Sequence, residues 1–188
     1  LDGNGRLYFS MKKVEGVTLQ SVFKGLRDED PNTMARFTRS KLLQTFQMVC
    51  LSVAYAHSRS VIHRDIKPAN IMIGEFGEVF LVDWGLAKVL KREADEGKER
   101  VRSHREEEGR MTTRQGEAIG TPGYMSPELA LGQQHMVDER ADIYALGAIL
   151  YEILTLRRPY GGKDMRTLIQ RMLKMPVTPP SQRTPGRD

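Results

Sequence analysis

Cysteine is nearly absent from this 188-residue chain. Cys50 stands alone, which excludes an internal disulfide framework and any zinc centre built on cysteines. A reducing, cytoplasmic setting is the expectation from that usage. Long apolar runs are missing as well: no stretch of about 18 uncharged apolar residues occurs, so no membrane span is expected. The first residues (LDGNGRLYF) lack a basic segment followed by an apolar one, so no signal peptide is expected. No fixed-period repeat is present, which excludes solenoids and propellers. Aromatics are few, at 7%, with one tryptophan, Trp84. Basic residues are interspersed with acidic ones rather than clustered beside stacking aromatics, so no nucleic-acid partner is expected.

The residues present suffice for a folded core, with 39% hydrophobic and 28% charged. The balance of 29 Lys+Arg against 24 Asp+Glu leaves a net charge of +5. Residues 7–14 (LYFSMKKV) are β-prone and end at Glu15-Gly16. A polar stretch with Asp28, Asp30 and Pro31 then reads as a separator. Between Thr38 and Arg59, Leu42, Leu43, Phe46, Val49, Cys50, Val53 and His57 recur at helical spacing and predict one long helix with a buried stripe. Ile71 to Ile73 and Val79 to Val82, joined across Gly74 and Gly77, predict a hairpin. A second helix is expected over 141–155, apolar on nearly every face and therefore central. A shorter amphipathic piece spans 165–175. Pro176, Pro179, Pro180 and Pro185 mark 176–188 as a proline-rich end or linker. Residues 91–117 hold eight Lys/Arg and eight Asp/Glu with little to bury, so a mobile, neutral excursion is expected. The fold class is mainly α with short β-strands.

Chemistry concentrates in His63-Arg64-Asp65-Ile66-Lys67-Pro68-Ala69-Asn70, between the long helix and the hairpin. In a tight loop a carboxylate, a lysine two residues on and an amide five residues on can converge. Asp83-Trp84-Gly85 follows the second apolar run and supplies another carboxylate, beside a glycine that lets the chain turn. Asp83 and Asn70 are hard oxygen ligands with no Cys or His cluster, which suits magnesium. Taken singly, Asp65 and Asp83 read more readily as helix caps or solvated turns than as catalytic groups.

HRDIKPAN, DWG, GTPGYMSPE and DIYALG, in this order and spacing, resemble the catalytic half of a eukaryotic-type (Hanks-type) protein serine/threonine kinase of bacterial flavour. The resemblance runs from about Leu7 to Met175. It implies a partial α+β kinase fold, from the hinge through most of the C-terminal lobe, over residues 1–175, with the N-terminal lobe largely missing and an activation loop over 83–128. It also implies ATP and Mg2+ as cofactors, and proteins with serine or threonine acceptors as substrates. Asp65 is then the proton acceptor, Lys67 the stabiliser of the transferred phosphoryl, and Asn70 and Asp83 the magnesium ligands. Thr121 helps place the substrate near Asp65 and Lys67. Met11 takes the gatekeeper position, backbone groups of Lys12, Lys13 and Val14 meet the adenine, and Met72 packs beneath it. Asp142 braces the catalytic loop, and His63 is structural rather than a base.

The sequence also departs from the family pattern. Trp84 replaces a phenylalanine and is expected to pack on His63; Gly85 follows it. Ser126 replaces an alanine before Pro127-Glu128, and Glu128 lacks an evident arginine partner. Candidate phosphoacceptors are Ser103, Thr112 and Thr113, with Arg64 and Lys88 as the receiving basic pocket. Glu117 is expected to substitute partly for phosphate on Arg64. No glycine-rich loop or paired lysine precedes the first strand, so the chain reads as a fragment, poorly active alone. The GEFGEV segment at 74–79 is read as a turn and not a nucleotide loop. Tyr124 and Met125 read as packing residues. The rival function is a non-catalytic, pseudokinase-like scaffold.

Overall fold

A computed structural model of the chain describes residues 13–90, 122–162 and 164–184. Met11, Lys12, the charged segment 91–117, its candidate phosphoacceptors, Glu117 and Thr121 lie outside the described residues, as does most of the β-prone opening.

The first described strand is β1 (Val17–Thr18). Gly16 precedes it at φ 144°, where a Cβ would stand 2.3 Å from the Ile73 carbonyl oxygen, so only glycine admits this close approach. Two helices then occupy the stretch read as a polar separator. Helix α1 (Leu19–Arg27) is capped by Thr18, whose hydroxyl accepts from Ser21 N–H, and it buries Leu19, Val22 and Phe23. Helix α2 (Pro31–Arg36) starts on Asp30 with Pro31 in its first turn. Asp30 is thus a cap and Pro31 a starter rather than breakers. Hydrogen bonds from the Thr33 hydroxyl and N–H hold the Asp30 carboxyl below its ordinary range.

The expected long helix is α3 (Arg39–Ser58). Its buried face is Leu42, Thr45, Val49, Val53 and Ala56, while Leu43 points outward. Thr45 satisfies its hydroxyl on Lys41 O at 3.0 Å, which lets a polar residue sit in the stripe. After α3 come β2 (Val61–Ile62), β3 (Ile71–Ile73), β4 (Val79–Leu81) and β5 (Lys88–Val89). Strands β3 and β4 form the expected hairpin, with Gly74, Gly77 and Glu78 at its turn. Strand β1 adds antiparallel to β3, and β2 pairs antiparallel with β5 in a separate two-stranded sheet.

This topology aligns two loops. Residues 63–70 run from β2 to β3, and residues 82–87 run from β4 to β5. Because β3 pairs with β4 and β2 with β5, both ends of each loop are fixed beside the other.

The remaining elements are α4 (Pro127–Ala130), α5 (Glu139–Thr155), α6 (Met165–Lys174) and α7 (Pro180–Arg183). Helix α5 buries Ala141, Asp142, Ala145, Leu146, Ala148, Ile149, Tyr151, Glu152, Ile153 and Thr155, so it is the expected central helix. One core joins α1, α3, β3 and α5 through Phe23, Leu42, Val53, Ile71, Ile149 and Ile153. Each such side chain contributes about 1.5–3 kcal/mol on burial. The proline-rich end contains the short helix α7, and Tyr151 on α5 donates to Thr178 O at 2.8 Å just before it.

Ser126, where the family pattern has alanine, is 1% exposed, and among the described residues its hydroxyl has no partner. A buried, unpaired hydroxyl is a net cost. Ser126→Ala is therefore expected to stabilise the protein by about 1 kcal/mol and raise Tm by about 3 °C. A fall in Tm on thermal denaturation would show that the hydroxyl is bonded.

Candidate active site

The loop 63–70 is held from behind by one buried carboxylate. Asp142, in the first turn of α5 and 1% exposed, accepts from His63 N–H and Arg64 N–H, each at 2.8 Å. His57, near the end of α3, approaches the same carboxylate with Nε2 at 2.8 Å from Oδ2. The loop needs this support because Arg64 adopts φ 69°, a left-handed conformation that costs a residue with a Cβ about 1–2 kcal/mol. His57 entered the sequence reading only as one position of an apolar stripe; its place opposite Asp142, 85 residues on, leaves no local signal.

His63 is 1% exposed and has one tautomer dictated by its neighbours. Asp65 N–H donates to Nδ1 at 3.3 Å, so Nε2 carries the proton and donates to Val82 O at 3.2 Å. Burial pushes its pKa down, with the bond to the Val82 carbonyl and the nearby Asp142, Asp65 and Asp83 only partly opposing. The ring is a neutral spacer between the two loops. Trp84 packs on it, ring centroids 4.5 Å apart at 58°, and donates from Nε1 to Leu81 O at 2.9 Å.

In front of this scaffold the polar side chains converge. Lys67 Nζ lies 2.7 Å from Asp65 Oδ2, and Asn70 Nδ2 donates to the same oxygen at 3.0 Å and to Asp65 O at 2.9 Å. Asn70 is buried, and Val82 N–H donates to its backbone carbonyl at 2.9 Å, which brings Asp83 one residue from that junction. Asp83 is exposed and takes φ 64°, ψ 61°. The turn at this point is made by Asp83 itself and not by Gly85, which sits in the following 3-10 turn. Aspartate is among the non-glycine residues that adopt this left-handed backbone most readily.

With the amide hydrogens of Asn70 spent on Asp65, its side-chain oxygen Oδ1 is the end that could serve as a ligand. Together with the Asp83 carboxylate this is an all-oxygen donor set of low charge, which fits Mg2+ sharing its shell with phosphates. Among the described residues no group of three His, Cys, Asp or Glu forms a self-sufficient metal site.

The other expected site residues are distributed as follows. Lys13 is exposed and among the described residues pairs with Glu15, at 3.9 Å, and Val14 is half-buried. Met72 lies on β3, on the face opposite the buried Ile71 and Ile73. Arg64 donates from Nε to Leu86 O at 2.5 Å, and Lys88 lies across from Ile62 in the β2–β5 pair. Glu128, in the first turn of α4, makes no ion pair among the described residues. Asp65, Lys67, Tyr124 and Met125 border one tight crevice of only about 10 Å3. A larger, open groove of about 720 Å3 lies between α3 and β4, walled by Met48, Leu51, Tyr55, Phe80 and Trp84. Among the described residues that line it, Arg59 is the one charged side chain.

Residues 2–185 match the family model described as protein kinase domain. The serine/threonine-protein kinase PknD of Protochlamydia amoebophila is 42% identical over 159 residues, covering 81% of this chain and 16% of that protein. PknD of Chlamydia trachomatis serovar L2b is 38% identical over 190 residues, covering 97% of this chain and 20% of the relative. PknD of Chlamydia muridarum is 40% identical over 173 residues, covering 86% and 18%. The chain thus spans at most about a fifth of the length of these curated relatives.

Proposed function

The chain belongs to the protein kinase domain family, and from that premise we propose that it carries the phosphoryl-transfer centre of a serine/threonine kinase. The reaction moves the γ-phosphoryl of Mg-ATP to serine or threonine hydroxyls of protein substrates. Residues 1–175 form the catalytic unit, 83–128 its activation segment, and 176–188 a proline-rich end. A cytoplasmic setting agrees with the single cysteine.

One observation carries this reading: Lys67 and Asn70 both close on Asp65 within a loop whose backbone is clamped by Asp142. Among the described residues both side-chain donors end on Oδ2, so Oδ1 is the oxygen that receives the proton of the attacking hydroxyl. Positioned proton transfer of this kind contributes about 10²–10⁴-fold in rate. Lys67 holds the carboxylate in place and faces the charge that develops on the transferred group. Asn70 and Asp83 would hold Mg2+ by their oxygens. When bound, Mg-ATP supplies the activated phosphoryl group and the cation that neutralises its oxygens. Thr121 serves substrate placement, Met11 to Val14 and Met72 serve the adenine, and Arg64 with Lys88 receives an anionic activation segment. An exposed Lys13 agrees with contact through backbone rather than side chain. Intact Asp65, Lys67, Asn70 and Asp83 favour this reading over a non-catalytic scaffold.

Trp84, the only tryptophan, adjoins Asp83 and reports on the site. Its emission is expected to change saturably with ATP only when Mg2+ is present, and Asp83→Ala is expected to weaken that response at least about tenfold. No Mg2+-dependent response in the full-length protein, at ATP up to about ten millimolar, would contradict the proposal.

A further inference from the structure

Trp84 departs from the phenylalanine of the family pattern, and its surroundings show what the indole adds. Nε1–H donates to Leu81 O at 2.9 Å, a bond that reaches back across Val82 and Asp83. A phenylalanine here could still stack on His63 but has no N–H to give. The bond is this chain's own addition to the turn.

Asp83 needs support that it does not supply itself. Among the described residues its carboxylate makes no hydrogen bond or ion pair, and it does not cap the 3-10 turn that follows. Its backbone is left-handed, a small region from which a residue with a Cβ falls readily into the broader β or right-handed ones. Such a change re-aims the side chain.

The residues on either side are fixed. Before Asp83, Val82 N–H donates to the Asn70 backbone carbonyl at 2.9 Å, and Val82 O accepts from His63 Nε2 at 3.2 Å. After it, the Trp84 ring lies on the same His63, and Trp84 O accepts from Ala87 N–H at 3.0 Å. The bond from residue 84 to residue 81 spans the φ and ψ of Asp83. Turning Asp83 out of its left-handed backbone therefore strains or breaks it.

We infer that Trp84 is a positioning residue for the Asp83 carboxylate: its indole N–H holds the turn 81–84 in the metal-binding shape before any cation arrives. This rests on the kinase reading above, in which Asp83 and Asn70 face Mg2+. Trp84 acts through Asp83 and not on the reacting groups. A site whose competent form is only partly populated binds proportionately more weakly. Loss of the bond thus raises the Mg2+ requirement and leaves the chemistry in place once Mg2+ saturates.

The test uses the full-length protein with Trp84→Phe, and with benzothiophene in place of the Trp84 indole, which exchanges the N–H for sulfur and keeps the double ring. Phe80→Leu is the control, because Phe80 is as exposed as Trp84 and walls the same groove but lies on β4, outside the bracketed turn. In metal-free protein, amide hydrogen exchange over 82–87 is expected to be about tenfold faster in both Trp84 variants, with exchange over α5 within about twofold. The free Mg2+ concentration for half-maximal transfer to a serine/threonine peptide is expected to rise about tenfold. The peptide KM, and kcat at saturating Mg2+, are expected to stay within about twofold. Phe80→Leu is expected to leave both readouts in place. Unchanged exchange over 82–87, an unchanged Mg2+ midpoint, or a midpoint moved as much by Phe80→Leu overturns the positioning role alone. A wild-type protein that transfers no phosphoryl group overturns the kinase reading and this inference with it.

Discussion

Asp65→Asn in the full-length protein is expected to lower kcat for phosphoryl transfer about 10³-fold while KM for ATP stays within about twofold. The substitution is nearly isosteric. The asparagine carbonyl can still accept from Lys67 Nζ or from Asn70 Nδ2, which now stand 2.7 and 3.0 Å from Oδ2. The loop therefore keeps its shape, and Tm is expected to move by no more than about 3 °C. What disappears is the basic oxygen that, on the proposed reading, would take the hydroxyl proton. Lys67 also loses its counter-charge, so its ammonium is no longer aimed as tightly. Steady-state kinetics with a serine/threonine peptide, run beside thermal denaturation, separates the chemical loss from a folding loss. A kcat within about tenfold of wild type would remove Asp65 from the role of proton acceptor.

Asp142→Ala is the second large effect, and it acts through the backbone. The substitution leaves His63 N–H and Arg64 N–H without acceptors in a buried place, and it strips His57 Nε2 of its partner. Each orphaned buried donor costs about 1–3 kcal/mol, and Arg64 loses what offsets its left-handed backbone. The sum is a destabilisation of about 3–5 kcal/mol, or a Tm lower by roughly 10 °C. Activity is expected to fall with it even well below the new Tm, because the loop carrying Asp65 and Lys67 can relax. Asp142→Asn separates the two effects: it retains one carbonyl acceptor for the loop but presents an amide to the other N–H, and its Tm is expected between wild type and alanine. A Tm for Asp142→Ala within about 3 °C of wild type would show that the loop holds itself.

Local pattern and long-range pairing were not equally legible in the sequence. Helix α3, helix α5 and the β3–β4 hairpin follow from apolar period and turn residues, because burial of one face or of all faces writes itself into neighbouring positions. Helices α1 and α2 do not follow in that way. Thr18, Asp30 and Pro31 are residues that start helices as readily as they end them, and the separator reading took Asp30-Pro31 as a stop. The spacing of Asp65, Lys67 and Asn70 was legible because all three share one loop. Glu152 was not: Arg27 and Tyr124 reach it from 125 and 28 residues away, and on α5 it looks like any polar interruption of a buried helix. Propensity points to Gly85 for the turn at 83–85, whereas Asp83 takes the left-handed backbone. Tertiary pairing of the two loops, through Asn70 and Val82 and through His63 and Val82, holds that residue there against its propensity.

The most direct measurement is transfer of labelled γ-phosphoryl from ATP to a peptide in single turnover, followed by phosphoamino-acid analysis. The full-length protein with Mg2+ is expected to yield phosphoserine or phosphothreonine, with transfer abolished by chelation of the metal and reduced about 10³-fold by Asp65→Asn. Absence of transfer by wild type under conditions where Trp84 reports bound Mg-ATP, or equal transfer by Asp65→Asn, would contradict the assignment of this loop as a phosphoryl-transfer centre.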